Sequence, residues 1–215
     1  MIIAIDGPAA SGKGTLSRRL ARHYGFACLD TGKLYRAVAW KILDSEQNPA
    51  DSGAAEAVAR QIGPADLDGA RLSEDRVSQA ASVVAAHPGV RAALLDFQRN
   101  FARHPPDGAK GAILDGRDIG TVICPDAPVK LYVTASAEAR AMRRFKELQE
   151  NGAEAIYERV LQDIEQRDAR DRGRPTAPLK QAEDALLLDT TALDADAAFK
   201  EAVDLVEKTL AGKPR

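Results

Sequence analysis

The feature that most constrains this chain is its opening. The apolar run Met1-Ile-Ile-Ala-Ile5 and Asp6 lead at once into Gly7-Pro-Ala-Ala-Ser-Gly12-Lys13-Gly14-Thr15. A run that short fits a buried strand. Beyond the glycines, Leu16, Leu20 and Tyr24 recur at helical spacing and Gly25 gives a stop signal. Strand, Gly-rich turn and helix in that order are the setting of a phosphate-binding P-loop. Gly7 and Gly12 permit backbone angles that turn successive amide N–H groups toward an anion. The helix opening near Lys13 adds the positive end of its dipole, and the Lys13 ammonium is expected to reach the β- and γ-phosphates.

The generic P-loop has Ser or Thr directly after its lysine, as a magnesium ligand. Here Gly14 holds that place and the hydroxyl comes one residue later, at Thr15. The ending Gly-Lys-Gly-Thr resembles that of nucleoside monophosphate kinases. It argues against a GTPase switch, and no Asn-Lys-x-Asp guanine-reading motif is present. A metal would then be held by phosphates, water and a distant carboxylate.

The 215 residues, 45% of them hydrophobic, support one core with a small appended subdomain. Nothing in the net charge of −2 suggests a general polyanion binder, so no nucleic acid is expected as partner. Cys28 and Cys124 lie far apart without metal-ligand spacing and fit buried thiols of a reducing compartment. With neither a charged leader nor an apolar run near ~20 residues, a cytoplasmic protein without membrane contact is expected. His23, His87 and His104 show no ligand spacing, and Trp40 fits a helix face.

Along the chain, Phe26–Leu29 fits a second strand, and Leu34, Val38 and Ile42 stripe a helix. Residues 44–53 are a loop by composition, with an Ala-rich helix to about Ile62 and turns over 63–73. Further helices carry Val77, Ala81 and Val84, then Val90, Leu94, Phe97 and Phe101, with a break at His87-Pro88. Strands recur at 112–114, 129–133 and 186–188. Helices open at Ser136, are marked by Ile156, Val160 and Ile164, and close the chain through Phe199, Val203, Val206 and Leu210. Strands separated by helices predict an α/β fold with a five-stranded parallel sheet covered on both faces.

Four groups are expected at the carboxyl ends of the strands, where such sheets bind ligands. The P-loop is one. In Asp30-Thr-Gly-Lys-Leu-Tyr-Arg36, the arginine can clamp a phosphate or serve as a surface i,i+4 partner. In Asp115-Gly-Arg117-Asp118, three charges follow an apolar strand; they are liganded, or form an internal Arg–Asp pair. Asp115 stands where a carboxylate would hold magnesium or its water. In Arg167-Asp-Ala-Arg170-Asp171-Arg172-Gly-Arg174, four arginines in eight residues repel unless anions lie between them, although charge runs are often solvated faces. Arg140, Arg143 and Arg144 form a lesser basic patch.

Together these motifs resemble the bacterial cytidylate kinase family along nearly the whole chain. The matching pieces are residues 5–15, Asp-Thr-Gly-x-x-Tyr-Arg at 30–36, Ala-Ala-Ser at 80–82 and Val-Arg at 90–91. They continue with Asp-Gly-Arg-Asp at 115–118 followed by Gly120-Thr121, and Arg-Asp-x-Arg-Asp-Arg at 167–172. The resemblance implies ATP plus CMP or dCMP giving ADP plus CDP or dCDP, with Mg2+. It implies a P-loop NTPase fold, with a core at 1–45 and 109–215, a monophosphate-binding insertion at 46–108 and a lid at about 165–178. Residues 63–73 are too few for the three-stranded sheet that longer members carry there. By the same resemblance Gly7, Pro8, Ala9, Ala10, Ser11, Gly12, Lys13, Gly14, Thr15 and Arg143 bind ATP. Thr31, Arg36, Ser82, Arg91, Arg117, Asp118, Arg167, Asp171 and Arg174 bind CMP, with Ser82, Arg91 and Asp118 on the cytosine and Arg167 and Asp171 on the sugar. The resemblance gives catalysis to Lys13, Arg117, Arg167, Arg170 and Arg174; Asp115 is expected to hold the metal through water, and a monomer is expected. Two alternatives remain: a P-loop protein that binds ATP as a switch without transfer, and a UMP/CMP or small-metabolite kinase.

Overall fold

Burial on both faces explains why the central strands at 2–6 and 112–116 read as apolar runs, whereas the edge strand at 186–189 leaves Leu187 exposed, contrary to the expected cover on both faces. The structure, a computed structural model, describes residues 1–150 and 152–212. Its strands are β1 (Ile2–Asp6), β2 (Ala27–Asp30), β3 (Ala112–Gly116), β4 (Val129–Thr134) and β5 (Leu186–Asp189). All pairings are parallel, in the order β2-β3-β1-β4-β5. In register, Ile3 of β1 faces Ile113 on one side and Val129 on the other.

The side-chain period of two divides the sheet between two cores. Ile3, Ile5, Ile113, Leu131 and Val133 pack on Leu16 and Leu20 of α1 (Lys13–Tyr24) and on Ala202 and Val206 of α8 (Ala195–Ala211). Ala4, Leu29 and Leu114 face the other way. They meet the Leu34, Val38, Ile42 stripe of α2 (Thr31–Asp44) and Val90 and Leu94 of α5 (Pro88–Arg103). Each large aliphatic side chain so buried contributes about 1.5–3 kcal/mol. On α5, Phe97 and Phe101 are only half-buried, and Gln98 takes the inner place by donating Nε2 to Leu94 O at 3.0 Å.

Between β2 and β3 lie α3 (Ser52–Ala59), α4 (Asp75–Val84) and α5. Asp51 caps α3 by accepting from Gly53 N and Ala54 N, and α3 ends short of the expected Ile62. Residues 63–73 fold into two 3-10 turns, Pro64–Leu67 and Ala70–Ser73, with no strand. After β4 come α6 (Ala137–Glu150) and α7 (Tyr157–Gly173). Asn151-Gly152 reads as the stop of α6, and Asn151 lies outside the described residues. A third apolar cluster joins Ala141 of α6 and Val160 and Ile164 of α7 to Ala9 of the phosphate loop. Sequence periodicity did not foresee the π-helical turn Ile119–Ile123 that follows β3.

Candidate active site

At the end of β1, Gly7 has φ 152°, and a Cβ there would lie 1.9 Å from Val133 O. Only glycine fits so close to the neighbouring backbone. Gly12, at φ 87°, turns the chain into α1, whose first turn carries no acidic residue to compete with an anion. Lys13 is buried and donates Nζ to Pro8 O at 2.8 Å. Burial, with Arg117 nearby, holds its pKa well below the ordinary lysine value.

A cavity of about 300 Å³ opens beside this loop. Lys13 lines one part of it and the Arg91–Asp118 pair another, with Arg36, Arg117, Arg167 and Arg174 also on its wall. Arg36 is held by Asp30 at 2.6 Å. Arg117 does not pair with its neighbour Asp118, the alternative open from sequence; its Nε donates to Asp171 Oδ2 at 2.9 Å. Burial raises the Asp171 carboxyl, but Arg117 and Arg167 outweigh that and hold it below its ordinary value. Asp118 instead accepts from Arg91 Nη2 at 2.5 Å, and its other oxygen faces Arg174 Nη2 at 3.8 Å. Arg91 is fixed further by Ala85 O and lies 5.5 Å from the Tyr35 ring centroid.

The arginine cluster on α7 departs from the sequence reading. Helix persists to Gly173, with Arg174 at its cap, and protein groups separate the guanidiniums. Arg167 Nη1 donates to Ser78 Oγ at 3.0 Å, Arg170 Nη1 to Ser82 Oγ at 2.6 Å and Arg174 Nε to Ala177 O at 2.6 Å. Arg170 therefore points at Ser82 and is not on the cavity wall. Two buried nitrogens, Arg167 Nε and Arg174 Nη2, have no hydrogen-bond partner. Such orphaned donors suit an incoming anion. Burial and Arg117 lower the Arg167 pKa to about 10. Arg140, Arg143 and Arg144 are not one patch: Arg144 pairs with Asp75 at 2.8 Å, Arg143 donates to Thr190 Oγ1 at 3.0 Å, and Arg140 is buried against Asp168.

Asp115, at the end of β3, lies on the cavity wall, and its Oδ2 has no hydrogen-bond partner. Burial, with Asp30 close by, raises its pKa. Thr31 Oγ1 donates to the Asp115 backbone oxygen at 2.7 Å and ties α2 to β3. No group of three or more His, Cys, Asp or Glu suits a metal among the described residues. The free carboxylate oxygen of Asp115 fits a cation whose other ligands are phosphate and water.

Ser11, Gly12, Thr15 and Arg143 line a second cavity, of about 260 Å³, with Thr190 and Leu193. Thr190 went unnoticed in the sequence; its Oγ1 donates to Ser11 O at 3.1 Å and so ties the β5 end to the phosphate loop. Asp6 also escaped notice. Its two carboxylate oxygens accept from Ile119 N and Gly120 N, each at 2.7 Å, so the end of β1 anchors the turn after Asp118. The signal was an acid closing an otherwise apolar strand.

The sequence model of the cytidylate kinase family matches residues 3–208. The chain belongs to the cytidylate kinase family. A cytidylate kinase from Paramagnetospirillum magneticum is 61% identical over 95% of this chain and 97% of its own. One from Rhodospirillum rubrum is 57% identical over 96% and 97%. One from Rhodopseudomonas palustris (strain CGA009) is 56% identical over the whole of both chains. Among solved structures, an uncharacterized protein from Eubacterium ventriosum superposes with TM-score 0.52 at 15% identity over 99% of each chain, a likeness of fold alone. Membership of this kinase family accounts for a phosphate loop facing an arginine-lined cavity. No described helix is long and apolar enough to cross a membrane.

Proposed function

We propose that this kinase transfers the γ-phosphoryl group of ATP to CMP or dCMP, giving ADP and CDP or dCDP. The observation that carries the reading is the Arg91–Asp118 pair on the wall of the cavity that Lys13 also lines. An ionised carboxylate only accepts hydrogen bonds. Cytosine presents an amine where uracil presents a carbonyl, so Asp118 suits the first and opposes the second. Arg91 and Ser82 complete the contacts to the ring. Arg36, Arg117 and Arg174 hold the acceptor phosphate, with Thr31 at the cavity wall. Arg167 and Asp171 hold the sugar.

ATP lies along Gly7, Pro8, Ala9, Ala10, Ser11, Gly12, Lys13, Gly14 and Thr15, with its nucleoside in the second cavity beside Arg143. Phosphoryl transfer of this kind is mostly positioning plus electrostatics. Lys13, Arg117, Arg167 and Arg174 neutralise the charge that spreads over the transferring group, and Arg170 joins them by exchanging its bond to Ser82. Asp115, whose Oδ2 has no hydrogen-bond partner, would hold magnesium through water, and that ion would supply charge neutralisation on the phosphates. The free thiols of Cys28 and Cys124 support a reducing, cytoplasmic setting. The chain is taken to act as a monomer.

Coupled ADP release over CMP, dCMP, UMP and AMP tests the reading. CMP and dCMP should turn over best and AMP not at all. Equal use of UMP would favour the UMP/CMP kinase alternative, and no acceptor-dependent ADP release would leave an ATP-binding switch.

A further inference from the structure

Arg140 and Asp168 have no part in the nucleotide contacts proposed above, yet they find each other. Arg140 Nη1 and Nη2 donate to the two Asp168 oxygens at 3.0 and 2.6 Å, and both side chains are buried. The fork joins α6 to α7. Arg140 makes two more bonds: Nε to Ala135 O at 2.9 Å, and Nη1 to Ala9 O at 3.2 Å. One guanidinium therefore touches the end of β4, the phosphate loop and the helix that carries Arg167, Arg170 and Asp171.

Ala9 is special in another way. Its side chain sits in the small apolar cluster with Ala141, Val160 and Ile164, and its neighbour Ala10 has φ 57°, a left-handed angle that non-glycine residues resist. The loop is thus held by packing on one side and by Arg140 at its carbonyl. On α7, Asp168 lies on the same buried stripe as Val160, Ile164 and Asp171. A shift of α7 that moves Asp171 must move Asp168, and through Arg140 the Ala9 carbonyl.

We propose that Arg140 is a positioning residue that couples the donor and acceptor sites: seating a nucleoside monophosphate under α7 fixes the phosphate loop for ATP, and the reverse. Coupling of binding must be reciprocal. The inference rests on the function proposed above, since it needs both nucleotides to bind.

The test is calorimetric. The affinity for a non-hydrolysable ATP analogue is measured with and without saturating CMP, in the unaltered protein, in the double variant Arg140→Leu with Asp168→Leu, and in Asp168→Asn. Replacing a buried ion pair by apolar side chains of similar size is often neutral for stability. The double variant should therefore melt near the unaltered protein. In the unaltered protein CMP should tighten the analogue by at least ~5-fold, the low end of usual coupling; in the double variant that factor should fall to within ~2-fold of one. Asp168→Asn keeps one acceptor for Arg140 and should fall between. A double variant that melts normally and keeps full coupling would overturn the inference, as would binding of both nucleotides to the unaltered protein without coupling. If the double variant fails to fold, unchanged coupling in a stable Asp168→Asn overturns it instead. Failure of CMP to bind the unaltered protein would overturn the proposed function, and this inference with it.

Discussion

At the scale of single residues, Lys13 and Asp6 show what burial does to charge. Lys13→Met removes the one ammonium in the phosphate loop and should lower turnover at least ~100-fold, or ~2.7 kcal/mol, with little change in melting temperature. Because burial and Arg117 depress its pKa, free-enzyme Lys13 loses its proton earlier than an ordinary lysine. The alkaline limb of kcat/KM for ATP should therefore fall at lower pH than that of kcat, since bound phosphates restore the proton. Coincident limbs would place that titration elsewhere. Burial raises Asp6 from 3.8 to about 6. A raised carboxylate contributes stability below its unfolded pKa, and that contribution is lost as pH rises through the folded one. Between about pH 4 and 6 the protein should thus lose stability relative to Asp6→Asn, by ~3 kcal/mol for a shift of this size. Parallel melting curves across that range would contradict it. Asp118→Asn tests the base contact: kcat/KM for CMP should drop and the CMP/UMP ratio narrow by on the order of 1–3 kcal/mol in free-energy terms.

At the scale of elements, α7 carries the most. Past Ile164 it has no apolar stripe; Asp168 and Asp171 are its inward residues, and Leu179 N closes the following turn on Asp171 O at 2.8 Å. Polar anchors exchange with water and ligand more readily than apolar ones. Residues 165–178 should exchange backbone hydrogens faster without nucleotides than with both, and equal protection would show that the segment is not a lid. Much of this was legible in the sequence. The stripe Leu34, Val38, Ile42 and the strand–glycine–helix opening depend on near neighbours, and local spacing reveals them. The pairing of the arginines was not legible. Arg91 meets Asp118, Arg117 meets Asp171 and Arg140 meets Asp168. All guanidiniums are chemically alike, so only the fold decides which carboxylate each one reaches. The π-helical turn after Asp118 was hidden for the same reason, since a distant carboxylate, Asp6, holds its first amides.

At the scale of the whole molecule, Leu114 lies fully buried in the middle of β3, between β1 and β2. Leu114→Ala should cost ~2–5 kcal/mol and lower the melting temperature by roughly 5–15 °C for a chain of this size. A smaller loss would mean that the core around α2 and α5 collapses into the space.

The strand that bears the phosphate loop is central in space yet early in the chain. Among the described residues it bonds only to β3 and β4, and β2 only to β3. Until Ala112–Gly116 exists, no strand of this sheet has a neighbour to pair with. On a ribosome the loop sequence therefore emerges long before anything can shape it, and the intervening helices must be made first. Pairings of such long sequence separation are slow to form, so the sheet should close after the local helices. Released fragments that end short of residue 112 should remain open to protease along β1, whereas released fragments carried through Thr134 can close the centre of the sheet.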